Sequence, residues 1–91
     1  MFNFEWDDQK AVTNLQKHGV SFDEAVSAFG DTLALTFSDT DHSEDEERSR
    51  TYGNSNKERL LVIVHTERRN GIRIISARKA TRYEKSIYKN G

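Results

Sequence analysis

The chain has 91 residues, of which 34% are apolar and 32% charged, with no cysteine and no proline. That size fits one domain, residues 1–91, with a modest core and little room for a deep pocket, and the missing cysteines exclude a disulfide framework and thiolate chemistry. Nine aromatic residues exclude a disordered chain, no apolar run approaches a membrane span, and Met1–Glu5 lacks the basic and apolar regions of a signal peptide, so a cytoplasmic location without membrane association is expected.

Phe2-Asn3-Phe4-Glu5-Trp6 alternates apolar and polar and reads as a short strand. Asp7 is a suitable N-cap for a helix to about His18, with Ala11, Val12 and Leu15 as its apolar stripe and Gly19 as its stop. His18, in the last turn, is placed to interact with the helix C-terminus. Ser21 and Glu24 have the spacing of a capping box for a second helix to about Phe29.

Leu33–Phe37 reads as a strand, Ser38–Glu47 as an acidic connection, and Arg48–Asn54 as a weak strand. Asp39-Thr40-Asp41-His42-Ser43-Glu44 looks like a metal loop but lacks the glycine and spacing of a calcium site and a second histidine at zinc spacing; a solvated acidic loop is the expectation, with no metal and no cofactor. Leu60–Thr66 is the strongest strand, Asn70-Gly71 a hairpin turn, and Ile72–Ala77 the returning strand. Thr81 and Glu84 form a second capping box, opening a last helix to about Tyr88. The order β-α-α-β-β-β-β-α predicts an α+β fold, with two N-terminal helices and one C-terminal helix on an antiparallel sheet.

The net charge of −1 conceals an asymmetry. Residues 1–47 hold twelve acids and two bases, a net of −10, and residues 48–91 hold twelve bases and three acids, a net of +9. Mutual neutralisation within one fold is one reading; a surface for a polyanion, RNA above all, is the other. With Asn70-Gly71 as a two-residue turn, Thr66 faces Ile75, His65 faces Ser76 and Ile63 faces Arg78. Val62, Val64, Thr66, Ile75 and Ala77 then point to the core, and Arg59, His65, Glu67, Ser76 and Arg78 share the other face. A three-residue loop with a bulge would reverse this.

RNA can be cut without a metal when its 2′-hydroxyl attacks the neighbouring phosphodiester. The protein must accept one proton, give another and stabilise added negative charge. His65, Glu67, Arg78, Lys79 and Arg82 have residue types suited to those tasks, and Arg48, Arg50, Arg59 and Arg73 to contacts along the RNA backbone.

Several stretches together resemble the BrnT-type toxins: Phe4-Glu5-Trp6-Asp7, Lys17-His18-Gly19-Val20-Ser21-Phe22, Asp41-His42-Ser43-Glu44, Glu47-Arg48, Leu61–Arg68 and Arg73–Arg82, in one order over nearly the whole chain. The resemblance implies a RelE-like fold and a toxin of a bacterial type II toxin–antitoxin system. It implies a metal-independent endoribonuclease that inhibits translation. It also implies a ribbon-helix-helix antitoxin, BrnA-like, through which alone operator DNA is contacted. On matching positions it points to Arg48, Arg59, Arg78, Lys79 and Arg82, with His65 as a candidate acid or base; Arg50 stands where an apolar residue is expected. The competing readings are a module that binds RNA or DNA without cutting it, and one that binds only an antitoxin.

Overall fold

The computed structural model describes residues 3–39 and 47–91. Phe2 of the expected first strand, and Asp41, His42, Ser43 and Glu44 of the acidic connection, lie outside the described residues. The elements are β1 (Asn3–Glu5), α1 (Asp8–His18), α2 (Phe22–Ala28), β2 (Leu35–Ser38), β3 (Ser49–Asn54), β4 (Leu60–Arg68), β5 (Gly71–Lys79) and α3 (Arg82–Asn90), in the expected order.

The local signals act largely as their chemistry dictates. The Asp7 carboxylate accepts the N–H groups of Gln9 and Lys10 at 2.8 and 3.1 Å and starts α1. Gly19 ends it with φ of 69°, a left-handed conformation that favours glycine. Thr81 and Glu84 close a full capping box at the start of α3. At α2 only half of the expected box forms. Ser21 Oγ accepts the Glu24 N–H at 3.0 Å, but the Glu24 carboxylate turns to Ser55 and Arg59. β2 begins at Leu35 rather than Leu33, because Asp31 Oδ1 accepts the Leu33 N–H at 2.9 Å and holds that stretch in a turn.

The five strands lie in the order β1-β5-β4-β3-β2. β1 runs parallel to β5 and the other neighbours are antiparallel, so the sheet is mixed rather than purely antiparallel. β1 pairs only with Gly71–Arg73. Where it stops, α1 takes over the β5 edge: the Asn14 amide accepts the Ala77 N–H at 3.1 Å and donates to the Ala77 and Val20 carbonyls at 2.8 and 2.9 Å. α1 therefore buries Asn14 and leaves Val12 and Leu15 about half exposed, which corrects the expected stripe at those two positions, while Ala11 packs against the core as expected.

The register of the β4–β5 hairpin differs from expectation in a way that matters for the site. Arg69 and Asn70 form the turn, and Gly71 is the first residue of β5, paired with Arg68. Gly71 is needed for the approach of β1, since a Cβ there would lie 1.9 Å from the Asn3 carbonyl oxygen. His65 pairs with Ile74 and Val64 with Ser76, so Ile75 is an extra residue on β5, a bulge. The bulge sends Ile74 and Ala77 to the same side. Leu61, Ile63, Ile74 and Ala77 pack with Val20, Phe22, Ala25 and Ala28 in the core under α1 and α2. His65 and Glu67 alternate with Leu61 and Ile63 and so lie on the α1/α2 side. Val62, Val64 and Thr66 lie on the other, with Arg78, Ser76 and Arg73. The expected sharing of one face by His65, Glu67, Ser76 and Arg78 is thus corrected: the bulge separates the first two from the last two.

Candidate nucleic-acid interface

α3 crosses the sheet on the side opposite α1 and α2. At its start, Arg78 Nη1 and Nη2 donate to Glu84 Oε1 and Oε2 at 2.7 and 2.8 Å. At its end, the Tyr88 hydroxyl donates to Asp31 Oδ2 at 2.6 Å and accepts from Asn54 Nδ2 at 3.1 Å. The two Arg78 hydrogen bonds outweigh burial and hold the Glu84 carboxyl down at about 2. Burial opposes ionisation of Asp31, but the Asn54 N–H, Tyr88 hydroxyl and Leu33 N–H outweigh it and leave that carboxyl below its usual value. Both ends of α3 are therefore tied down by ionised carboxylates.

One flank of α3 forms a groove of about 860 Å³ with the start of β4 and the end of β5. Arg59, Lys79, Arg82, Lys85 and Lys89 line it, against one acid, Glu58. Arg82, Lys85 and Lys89 are three and four residues apart and so share one helix face. Lys79, Arg82, Lys85 and Lys89 make no ion pair among the described residues. Lys85 and Lys89 are absent from the residues expected from the sequence, although their helical spacing from Arg82 is a usable signal.

The other flank is open sheet. Arg50 on β3 pairs with Val64 on β4 and Phe37 on β2, and Ser76 completes the row. Arg73 lies one row further, ion-paired to Glu5 at 2.7 Å. Arg50 Nε is buried and finds no acceptor among the described residues. Five of the twelve bases of residues 48–91 thus line the groove, and Arg50, Arg73 and Arg78 lie on the α3 side of the sheet.

The remaining expected site residues stand apart. Arg59 reaches the groove, but its Nε donates to Glu24 Oε2 at 2.9 Å, its Nη2 to Glu24 Oε1 and to the Gly19 carbonyl, the last at 3.1 Å. The Glu24 carboxyl is lowered chiefly by Arg59, against its burial. Arg48 stands one residue before β3, where its carbonyl accepts the Asp39 N–H at 2.8 Å. His65 is 2% exposed, packs edge-to-face on Phe29 at 5.1 Å, and shares a 2.7 Å hydrogen bond between Nε2 and Thr51 Oγ1. Burial lowers its pKa, partly offset by the charge of Glu67. Glu67 is exposed near the hairpin turn. The structure thus ties Arg78 to the start of α3, brings Arg82 and Lys79 to the groove beside it, Lys79 from the end of β5 as the partner of Leu61, sets Arg50 and Arg73 on the same side of the sheet further along the strands, and leaves His65 and Glu67 on the other side. Among the described residues no group of three or more His, Asp or Glu is placed to hold a metal ion, and no helix is long and apolar enough to cross a membrane.

A family model described as "Ribonuclease toxin, BrnT, of type II toxin-antitoxin system" matches residues 6–84. The 1.1 Å crystal structure of the Brucella abortus ribonuclease toxin BrnT is similar in fold, with a TM-score of 0.69, 22% identity, and coverage of 90% of this chain and 100% of that one. No curated protein sequence matches the chain.

Proposed function

Because the chain belongs to the BrnT family of ribonuclease toxins of type II toxin–antitoxin systems, we propose that it cuts single-stranded RNA without a metal ion and that its α3 side carries the reaction. The observation behind this reading is the groove beside α3, lined by five cations, four of which make no ion pair among the described residues. A folded domain gains little from unpaired like charges held together, whereas a sugar–phosphate backbone neutralises them.

In the reaction the 2′-hydroxyl gives its proton to solvent water, its oxygen bonds to phosphorus as the P–O5′ bond breaks, and a 2′,3′-cyclic phosphate and a 5′-hydroxyl are left. The phosphorane-like transition state gains negative charge that Arg78 and Arg82 are suited to stabilise. Lys79, an ammonium at the end of β5, can give the proton that the leaving 5′-oxygen takes up. Arg50 and Arg73 hold the chain of phosphates beyond the scissile one. Cutting messenger RNA inhibits translation. The cognate antitoxin, a BrnA-like ribbon-helix-helix protein, would neutralise the toxin by covering this basic side and would itself contact operator DNA.

A second reading is RNA binding without cleavage. It is favoured by one observation: His65 and His18, the two histidines among the described residues, both lie away from the α3 side. Purified protein incubated with RNA in chelator separates the two. Cleavage that weakens in Lys79→Ala and Arg82→Ala supports the first reading. Intact RNA that is nevertheless bound supports the second. Cleavage at an unchanged rate in both variants rejects the assignment of the α3 side.

A further inference from the structure

Phe37 is exposed in a place where its neighbours are not those of a stray surface hydrophobe. Its side chain is 39% exposed on β2, on the α3 side of the sheet. One side of the ring is backed edge-on by Tyr52 at 5.3 Å and 60°, and Tyr52 itself is 3% exposed. Directly across the β2–β3 ladder stands Arg50, whose buried Nε finds no acceptor among the described residues. Single exposed hydrophobics are ordinary, and Val12, Leu15 and Leu33 need no other account: they are aliphatic and lie on α1 or in the turn before β2. Phe37 adds a planar face held in orientation by a buried ring, beside a guanidinium whose Nε finds no acceptor among the described residues.

Resting on the RNA reading above, we propose that Phe37 is a base-stacking residue, on which one unpaired nucleobase of the RNA lies while the adjoining phosphate or base carbonyl meets Arg50. Every nucleobase has a π-face, so aromatic stacking holds single-stranded RNA with little sequence preference, and the cation beside the ring selects a nucleic acid over an apolar peptide. A duplex, whose bases are already stacked, gains nothing from the ring. Phe37 thereby contributes a contact outside the groove and biases the protein towards unpaired substrate.

The test uses the full chain and a fluorescent single-stranded RNA with 2′-O-methyl riboses, which cannot be cut by 2′-oxygen attack, in chelator. Binding is read by anisotropy for the wild type, Phe37→Ala, Phe37→Leu and Phe37→Trp, each checked for an unaltered thermal transition. Phe37→Leu keeps apolar packing without a π-face and guards against a merely misfolded Phe37→Ala. Removing the ring should weaken binding about fivefold or more, as loss of one stacked base does. Phe37→Trp should bind within about twofold of the wild type, and an RNA with abasic sites should bind all four proteins alike. Phe37→Leu binding as tightly as the wild type overturns the proposal. So does an equal loss on abasic RNA, or a loss confined to antitoxin binding with RNA binding unchanged. Wild-type protein that binds no RNA at all rejects the functional reading and this inference together, whereas wild-type binding that ignores Phe37 rejects the inference alone.

Discussion

Arg78 and Glu84 meet in a two-pronged ion pair that fastens the start of α3 to β5. The same carboxylate accepts the Thr81 N–H at 2.8 Å, so one side chain caps the helix and holds the guanidinium in place. A residue expected to act on phosphate is thus positioned by an acid inside its own fold. Glu84 titrates near 2 in the folded chain, against 4.5 as its ordinary value. A depressed carboxyl stabilises the fold above its unfolded value, and that stability is lost as the pH falls through the folded one. Glu84→Gln should cost about 1–2 kcal/mol at pH 7, because the pair is partly exposed. The difference from the wild type should shrink between pH 4.5 and about 2. Urea unfolding at pH 7 and pH 3 measures both; an equal difference at the two values sinks the assignment.

Arg59 should prove more important to stability than to RNA. Its guanidinium is the main partner of Glu24, whose side chain is 2% exposed. Arg59→Ala leaves that carboxylate buried with Ser55 as its remaining side-chain partner, and should cost about 2–4 kcal/mol. Pairing Arg59→Ala with Glu24→Gln should recover part of the loss, since the orphaned charge is then gone. Denaturant midpoints of the two single variants and the double variant decide this; full additivity would count against the pair.

The helix ends are legible in the sequence because their chemistry is local: Asp7, Gly19, Ser21 and the Thr81–Glu84 box all act within a few residues of where they stand. The sidedness of the hairpin is not. Leu60–Val64 is apolar at every position and Ile74-Ile75 is apolar at two successive ones, so alternation cannot reveal the bulge that turns His65 inward. Glu24 and Arg59 are 35 residues apart, and nothing near Glu24 announces that it leaves its own helix cap for a distant guanidinium. The groove lies between these cases. Arg82 stands out through the family motif, while Lys85 and Lys89 complete a helical stripe that periodicity alone could find.

The groove cations should act on RNA through charge, with little effect on folding. Lys85→Ala and Lys89→Ala remove exposed ammonium groups that make no ion pair among the described residues, so thermal stability should stay within about 0.5 kcal/mol of the wild type. Every phosphate that a variant no longer neutralises should lower the slope of log K against log salt by roughly 0.7 on single-stranded RNA. Binding isotherms on the uncleavable RNA across a salt series check this; an unchanged slope in the double variant would remove the groove from the interface.

His65 gives the sharpest separation between a catalytic and a structural reading. It is buried against Phe29, bonded to Thr51 and held below its usual pKa by burial. A histidine that folds in its neutral form lets the unfolded chain bind more protons in acid. Stability should therefore fall as the pH drops below the usual 6.5 towards the folded value, the sign expected for a depressed base. In His65→Phe, which keeps the ring packing, that part of the pH slope should vanish. RNA cleavage by this variant should remain within a few-fold of the wild type at temperatures where both are folded, because the ring does not reach the α3 side. A large loss of cleavage with the melting transition and its pH slope intact would instead make His65 part of the chemistry and require the hairpin to open towards the substrate.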